Sequence, residues 1–331
     1  MRTRRVFFWV KHFDYNCLCL GKSVVARRPF VKPTLTLDDQ ITHLKIKGMV
    51  FADENWAKQQ LQHTSYYRLS AYWLPFEYPK ATQTNTHCFQ PGTSFETVAA
   101  LHEFDCKLRR LVAEAIEAFE IALRGNWAHA LATLGDGHSY LEAPHYSEFD
   151  KFVENAAHLV RDIKRSKERF IKNYRENHSP SFPPVWMVAE ILSFGSLSHW
   201  YANLKLVSVR QVIANPFGLD EKVFKPLIHH LTVVRNICAH HSRLWNRQVP
   251  VALRLPNNPV NLGQSMNMTI PKGLYNTLTV LAFVLNEINA LPNWQGRLLT
   301  HLDSLPHGDL GQLGFPQNYE TLPIWSGVAR V

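Results

Sequence analysis

The sequence lacks the features that mark several common protein classes. Its five cysteines contain no CxxC pair, so neither a disulfide framework nor a zinc ribbon is predicted. No apolar run approaches the roughly eighteen residues that a membrane span needs, and the one after residues 2–5 is too short for a secretory signal. No phosphate-binding glycine loop is present. We therefore expect a soluble, cytoplasmic protein without a cofactor.

Positive charge is distributed unevenly along the chain. The formal net charge is +9, but residues 1–32 hold eight Lys and Arg against the single acid Asp14, which accounts for +7 of it. The remaining residues are nearly neutral. Overall basicity is therefore weak evidence for a nucleic-acid partner, and the placement of charge within the rest of the chain matters more.

One long interval contains no acidic residue. Between Glu221 and Glu287 there is no Asp or Glu, although 27 acids in 331 residues predict about five in that length. The interval is a solvated basic face that arose by chance, or a surface that does not repel phosphate, and we favour the second interpretation. Its basic side chains are Lys222, Lys225, His229, His230, Arg235, His240, His241, Arg243, Arg247, Arg254 and Lys272.

Apolar residues recur at spacings of three and four, and almost no segment alternates as a strand does, so the predicted class is all-α. Thr36, Asp53 and Ser94 are predicted N-caps, and Gly48 is a predicted helix stop. A basic run within the fourth helix is either a solvated face or a track for a phosphate backbone. Helices are expected over about residues 37–47, 54–73, 95–134, 149–178, 185–193, 195–206, 221–247, 274–290 and 294–305.

The segment from Arg235 to His240 contains two residue types that cleave phosphodiesters without a metal. Histidine exchanges protons near neutral pH, and arginine offers a fork of donors to phosphoryl oxygens. On an ideal helix the two differ in direction by about 140°. Either the arginine bends round the helix, or a second copy of the protein completes each face. Asn236 and His240 share a face, so we expect the amide to hold the imidazole in one tautomer.

The Arg-x4-His spacing alone also fits a helix with incidental polar residues, but the residues around it form a more specific pattern. Residues 231–247 resemble the motif helix of abortive-infection (AbiD/AbiF-like) HEPN proteins, in which an Arg-Asn start and an Ala-His close define a nuclease motif. Other segments look like further landmarks of that family in the expected order, and the resemblance covers about residues 32–325. They lie at residues 32–36, 66–72, 104–109, 116–120, 194–198, 313–316 and 323–325.

The resemblance implies a HEPN-like helical bundle with additional N- and C-terminal helical elements. It also implies a homodimer that brings two motifs together, and RNA cleavage that halts growth of a phage-infected bacterial cell. A small RNA or protein antitoxin is a further implied partner. We expect residues 32–250 to form the Abi-like core and residues 251–331 to form a helical extension packed on it. Residues 1–31 are expected to be a disordered extension or a mis-assigned start, and residues 1–30 to be dispensable for folding.

The resemblance assigns catalysis to Arg235, Asn236 and His240 by position. We predict RNA contacts from His241, whose role is open, and from Arg243, Arg247, Lys164 and Arg165. No metal site is expected, because Cys238, His240 and His241 are too crowded on one helix to surround a tetrahedral ion. The main alternative is a non-catalytic module that binds RNA or a protein and uses Arg235 only as an anchor.

Overall fold

The computed structural model describes residues 33–78, 87–254, 256 and 258–331. Within these ranges the chain forms thirteen α-helices joined by loops and short 3₁₀ turns, and its β-bridges are all isolated. The predicted all-α class is confirmed. The expectations for residues 1–31 lie outside the described residues. None of the described helices is long and apolar enough to cross a membrane.

The helices vary from six residues in α11 to 38 in α4. In chain order they are α1 (Leu37–Ile46), α2 (Glu54–Thr64), α3 (Tyr66–Trp73), α4 (Phe95–Ala132), α5 (Phe149–Arg165), α6 (Arg169–Asn177), α7 (Val185–Ile191), α8 (Phe194–Asn203), α9 (Val207–Ala214), α10 (Glu221–Ala239), α11 (Val260–Ser265), α12 (Leu274–Glu287) and α13 (Trp294–Asp303). The short helices α9 and α11 have no counterpart among the predicted elements.

The predicted helix caps are present. Thr36 and Asp39 form a reciprocal capping box at α1, and the side chains of Asp53 and Ser94 accept backbone N–H groups at the starts of α2 and α4. Gly48 follows α1 with a φ of +96°, a left-handed conformation that glycine adopts without strain. The sequence predicted these caps and this helix stop correctly because each depends on residues that are close together in the sequence.

Two expected helices are each divided by a serine. Ser65 has a φ of +69° and separates α2 from α3, while its hydroxyl accepts the N–H of Arg68. Ser166 adopts an extended conformation after α5, and its hydroxyl accepts the N–H of Glu168 at 3.3 Å. The predictions of single helices over 54–73 and 149–178 were wrong, because serine side chains compete for the backbone N–H groups that a continuous helix would use.

The long helix α4 is the centre of the fold. Helices α3, α7, α9, α10, α12 and α13 all pack against it, and its Phe119 and Trp127 side chains are fully buried. The indole of Trp294 on α13 donates to the Leu111 carbonyl at 2.8 Å, so the C-terminal helices are also tied to α4 by polar contacts. Helix α10 lies against α4, α8 and α9, which fixes one side of it and leaves another exposed.

A buried histidine anchors α10 to the C-terminal part of the chain. His230 is 1% exposed, and its ring nitrogens lie 2.7 Å from the Val251 carbonyl and 2.8 Å from the Thr277 hydroxyl. Burial lowers the pKa of His230 to about 4, so the ring is neutral at physiological pH. His230 therefore belongs to the core and adds no charge to the basic interval predicted from the sequence.

Candidate active site at the end of α10

The end of α10 is a tight turn built on a histidine. Ala239 is the last helical residue, His240 is the C-cap, and His241 follows with a φ of +54°. The N–H of His241 donates to Cys238 and that of Ser242 donates to Ile237, the hydrogen-bond pattern of a Schellman motif. Glycine is the usual residue at the left-handed position, so a histidine there is strained by about 1 kcal/mol or more.

This turn corrects the predicted extent of the motif helix. A continuous helix to Arg247 was expected, but the chain leaves the helical path after His240. The backbone N–H groups of Leu244 and Trp245 donate to the carboxylate of Asp105 at 3.2 and 2.6 Å. Because a distant residue satisfies these donors, the loop at 240–247 is more favourable than further helix. Arg243 and Arg247 consequently lie in this loop.

Asp105 on α4 is fully buried and connects three parts of the fold. Besides the loop, its carboxylate accepts the Tyr72 hydroxyl of α3 at 2.6 Å and is ion-paired with Arg109. Burial and the neighbouring Asp105 carboxylate raise the pKa of Tyr72 above its usual value. The bonds to Asp105 together join the loop and α3 to α4, and we name this set, Tyr72, Asp105, Arg109, Leu244 and Trp245, the buried hub.

Two further arginines join α3 to the same loop. Arg68 donates to the carbonyl of His241 at 2.5 Å, and Arg243 donates to the carbonyl of Ala71. Burial lowers the pKa of Arg243 below its usual value. Its guanidinium is engaged with the α3 backbone, and Arg247 donates weakly to the Arg243 carbonyl at 3.4 Å. The RNA contacts assigned to Arg243 and Arg247 stay predictions.

A cleft of about 430 Å³ lies between α4 and the end of α10, and we call it the motif cleft. Arg235 lines it, with its guanidinium 3.8 Å from the carboxylate of Glu120, which is also paired with Arg124. The acid-free interval of the sequence is therefore not acid-free in space, because α4 supplies carboxylates to the cleft. The residues that matter for its chemistry are Arg110, Glu117, Glu120, Arg235, Cys238 and His241.

The structure divides the predicted catalytic residues between two faces of α10. The lining of the motif cleft includes Arg235 and His241, but neither Asn236 nor His240, which are exposed to solvent. The Asn236 side-chain oxygen accepts from Arg235 at 3.4 Å. Among the hydrogen bonds of the described residues, none joins the Asn236 amide to the His240 ring. One copy of the chain therefore does not enclose Arg235 and His240 in one cleft.

The comparisons with known proteins agree with the sequence landmarks. A family model described as Abi-like protein matches residues 59–246, more than half of the 331 residues. The chain is an Abi-like protein. The matched span contains the buried hub, the motif cleft and the turn at His241, and the family implies a role in abortive infection. No curated protein and no solved structure was found to match the chain.

The remaining predicted RNA contacts of this Abi-like protein lie on another element. Lys164 and Arg165 are exposed in the last turn of α5, which packs against α7 and α8, whereas the motif cleft is formed by α4 and α10. Their side chains project from the end of the helix where basic residues complement the helix dipole, which is a structural reason for their presence. Their assignment to RNA stays a prediction.

Cys238 of the Abi-like chain is unsuited to metal binding. Its side chain is 6% exposed, and burial raises the pKa of the thiol to about 12, so it stays protonated. Within the described ranges, no group of three or more His, Cys, Asp or Glu side chains is arranged to hold a metal ion.

The sequence analysis did not identify the residues that hold the candidate site in place. The roles of Arg68, Tyr72, Asp105 and Glu120 were not foreseen, although each lies in one of the segments that resemble family landmarks. One sequence signal pointed to the buried hub. Asp105 and Arg109, an acid and an arginine four residues apart, lie on a helix whose core-facing side is otherwise largely apolar.

Proposed function

We propose that this Abi-like protein is a metal-independent endoribonuclease toxin of the HEPN type, which acts in the cytoplasm of a phage-infected bacterial cell. The observation that carries the proposal is the end of α10, where Arg235 lies in the last turns of the helix and the exposed His240 is its C-cap, next to a loop fixed by the buried hub. A nuclease needs such preorganisation, since catalytic groups must be in place before the transition state forms.

In the proposed reaction, His240 accepts the proton of the ribose 2′-hydroxyl and delivers it to the leaving 5′-oxygen. Arg235 stabilises the charge that builds on the phosphorane, and Asn236, whose side-chain oxygen accepts from Arg235, orients the guanidinium. The 2′-oxygen attacks the adjacent phosphorus and the bond to the 5′-oxygen breaks, leaving a 2′,3′-cyclic phosphate and a 5′-hydroxyl. Histidine supplies the proton transfer and arginine the charge stabilisation, so the step balances without further reagents.

A homodimer is part of the proposal, because Arg235 and His240 lie on different faces of α10. A two-fold axis near the end of α10 places the His240 of one copy beside the motif cleft of the other. It also brings two basic helix ends together, which increases the local positive potential. A small RNA or protein antitoxin that covers this surface would keep the toxin inactive.

In this arrangement His241, Arg243 and Arg247 contact the RNA near the scissile bond, and Lys164 and Arg165 contact it further along. Phosphate replaces Glu120 as the partner of Arg235 when RNA binds. The 3.8 Å separation between Arg235 and Glu120 is longer than a direct hydrogen bond, so this exchange gives up little energy.

A second candidate function is a non-catalytic module that binds RNA or protein. The observation that favours it is the presence of Glu117 and Glu120 in the motif cleft, where they reduce the positive charge that Arg235 contributes. In that case Arg235 is an anchor, and His240 has no chemical role.

Cleavage of labelled RNA in excess EDTA tests the proposal. Wild type should cut RNA and leave DNA intact, since DNA has no 2′-hydroxyl. His240→Ala and Arg235→Ala should each reduce the rate by about two to four orders of magnitude. Asn236→Ala should reduce it by about ten- to a hundredfold, as expected of a group that orients others.

His199→Ala is the matched control, because His199 is an exposed histidine on α8. It should cleave at the wild-type rate. Equal cleavage by wild type and His240→Ala, or activity only after a divalent metal is restored, would contradict the mechanism. Tight RNA binding without cleavage would instead favour the non-catalytic module.

A further inference from the structure

Helix α10 has a row of exposed residues on a surface that is separate from the motif cleft, with the half-buried Thr232 and Val233 between its two ends. Lys222, Lys225, His229, Asn236 and His240 are all exposed, and on an ideal helix they fall within an arc of about 60°. We call this surface the α10 ridge. None of its five residues is acidic. From Lys222 to His240 it extends over about 27 Å, at 1.5 Å per residue, which is long enough for several nucleotides.

The start of the ridge opens into a basic groove of about 580 Å³. Lys222 and Lys225 line one side, and the exposed Arg254, from the loop after α10, lines the other. Glu221 also lines the groove, but it is 5% exposed and its carboxylate is held by Arg210 at 2.7 Å. The three cations of the groove are therefore not neutralised by Glu221.

Two further acids lie near this end of the ridge: Asp220, and the exposed Glu287, whose carboxylate lies beside Gly218 just before α10. The Asp220 carboxylate accepts the backbone N–H of Lys222 at 2.8 Å and thereby caps α10. Its charge is directed at the helix start, so it stabilises α10 without forming an ion pair with the lysine side chains. The groove has three cations against the single acid Glu221 in its lining, whereas the lining of the motif cleft sets Arg109, Arg110 and Arg235 against two acids, Glu117 and Glu120.

We propose that the α10 ridge is a docking track for single-stranded RNA, which enters at the groove of Lys222, Lys225 and Arg254 and is led to His240. This inference rests on the proposed function for its ligand class. Lysine and arginine side chains bind the phosphate backbone independently of sequence, and His229 and Asn236 offer further polar contacts along the path. The track explains why His240 faces solvent: it lies at the end of the ridge, where the bound strand passes.

The test is the salt dependence of RNA binding, measured by fluorescence anisotropy with a labelled single-stranded oligouridylate. The full chain carries His240→Ala throughout, so that cleavage does not disturb the measurement. Adding Lys222→Ala/Lys225→Ala should weaken binding and reduce the slope of log K against log salt by about 1.4, because each phosphate contact on a single strand contributes about 0.7.

The matched control is Lys45→Ala/Lys58→Ala, which removes the same charge from lysines of α1 and α2 that are already paired with Glu54 and Asp38. Its slope should equal that of the parent. Equal slopes for the ridge and control variants, or no binding of the oligouridylate by the parent, would overturn the proposal. So would an equal loss of affinity for polyglutamate, since the ridge would then be a site for acidic proteins.

The result is separable from the proposed nuclease function. If wild type cuts no RNA but the ridge variant loses salt dependence, the track stands and the nuclease is wrong. If wild type cuts RNA through His240 while the slope is unchanged, the nuclease stands and the track is wrong.

Discussion

The two faces of α10 differ in how they are held and in what they offer to a ligand. The motif cleft lies against α4, contains Arg235 beside Glu120, and adjoins a turn that is fixed by the buried hub. The α10 ridge has exposed basic and polar side chains and no acid of its own. The ridge therefore offers positive potential to a polyanion, whereas the cleft offers side chains whose positions are fixed by buried polar contacts. Neither property alone identifies the site.

The largest predicted effect concerns the combination of the two faces. Arg235→Ala and His240→Ala should each be nearly inactive, but a mixture of the two should recover about a quarter of the wild-type rate. Random exchange gives half mixed dimers, and each of these has one intact composite site of two. The measurement is RNA cleavage after joint refolding or coexpression. A mixture no more active than its components would show that both residues act within one copy.

The next effect concerns the buried hub. Asp105→Ala should reduce the free energy of unfolding by about 3–5 kcal/mol, because it leaves Arg109 buried without its counterion and the loop N–H groups without an acceptor. Urea denaturation measures this change. Glu103→Ala on the same helix is the control: Glu103 forms an exposed pair with Lys107, and its loss should cost at most about 1 kcal/mol. Similar costs for both would show that the hub does not hold the site.

The smallest effect concerns His241. His241→Gly should raise the free energy of unfolding by up to about 1 kcal/mol, because glycine adopts the left-handed conformation without strain. RNA affinity should fall if the imidazole contacts RNA. Asn246→Gly is matched, since Asn246 also has a positive φ but does not line the motif cleft. It should leave RNA affinity unchanged. A loss of stability in His241→Gly would show that the imidazole supports the fold.

The sequence predicted what depends on near neighbours and missed what depends on distant ones. The caps at Thr36, Asp53 and Ser94 and the class of the fold follow from local hydrogen bonds and periodicity. The end of α10 does not, because the donors of Leu244 and Trp245 are satisfied by Asp105, about 140 residues earlier.

The same limit applies to the candidate site. The 140° offset between Arg235 and His240 is helix geometry, and the separation of the two residues agrees with it. The interval between Glu221 and Glu287 has no acid in the sequence. In the folded chain, however, the carboxylates of Glu117 and Glu120 reach the cleft from α4. Charge in a site is therefore set by packing, and the order of residues in one segment does not reveal it.

The hydrogen bond between Asp105 and Trp245 also determines when the candidate site can form during synthesis of the chain. The N-terminal helices leave the ribosome first, but the turn that carries His240 is held by Arg68 and Asp105, which precede it by well over a hundred residues. Until Trp245 has emerged, Asp105 cannot accept its hydrogen bonds from the loop. Thr277 must also emerge before it can form its hydrogen bond with His230. A nascent chain therefore contains the motif before it contains the folded candidate site, which forms only when translation is well advanced.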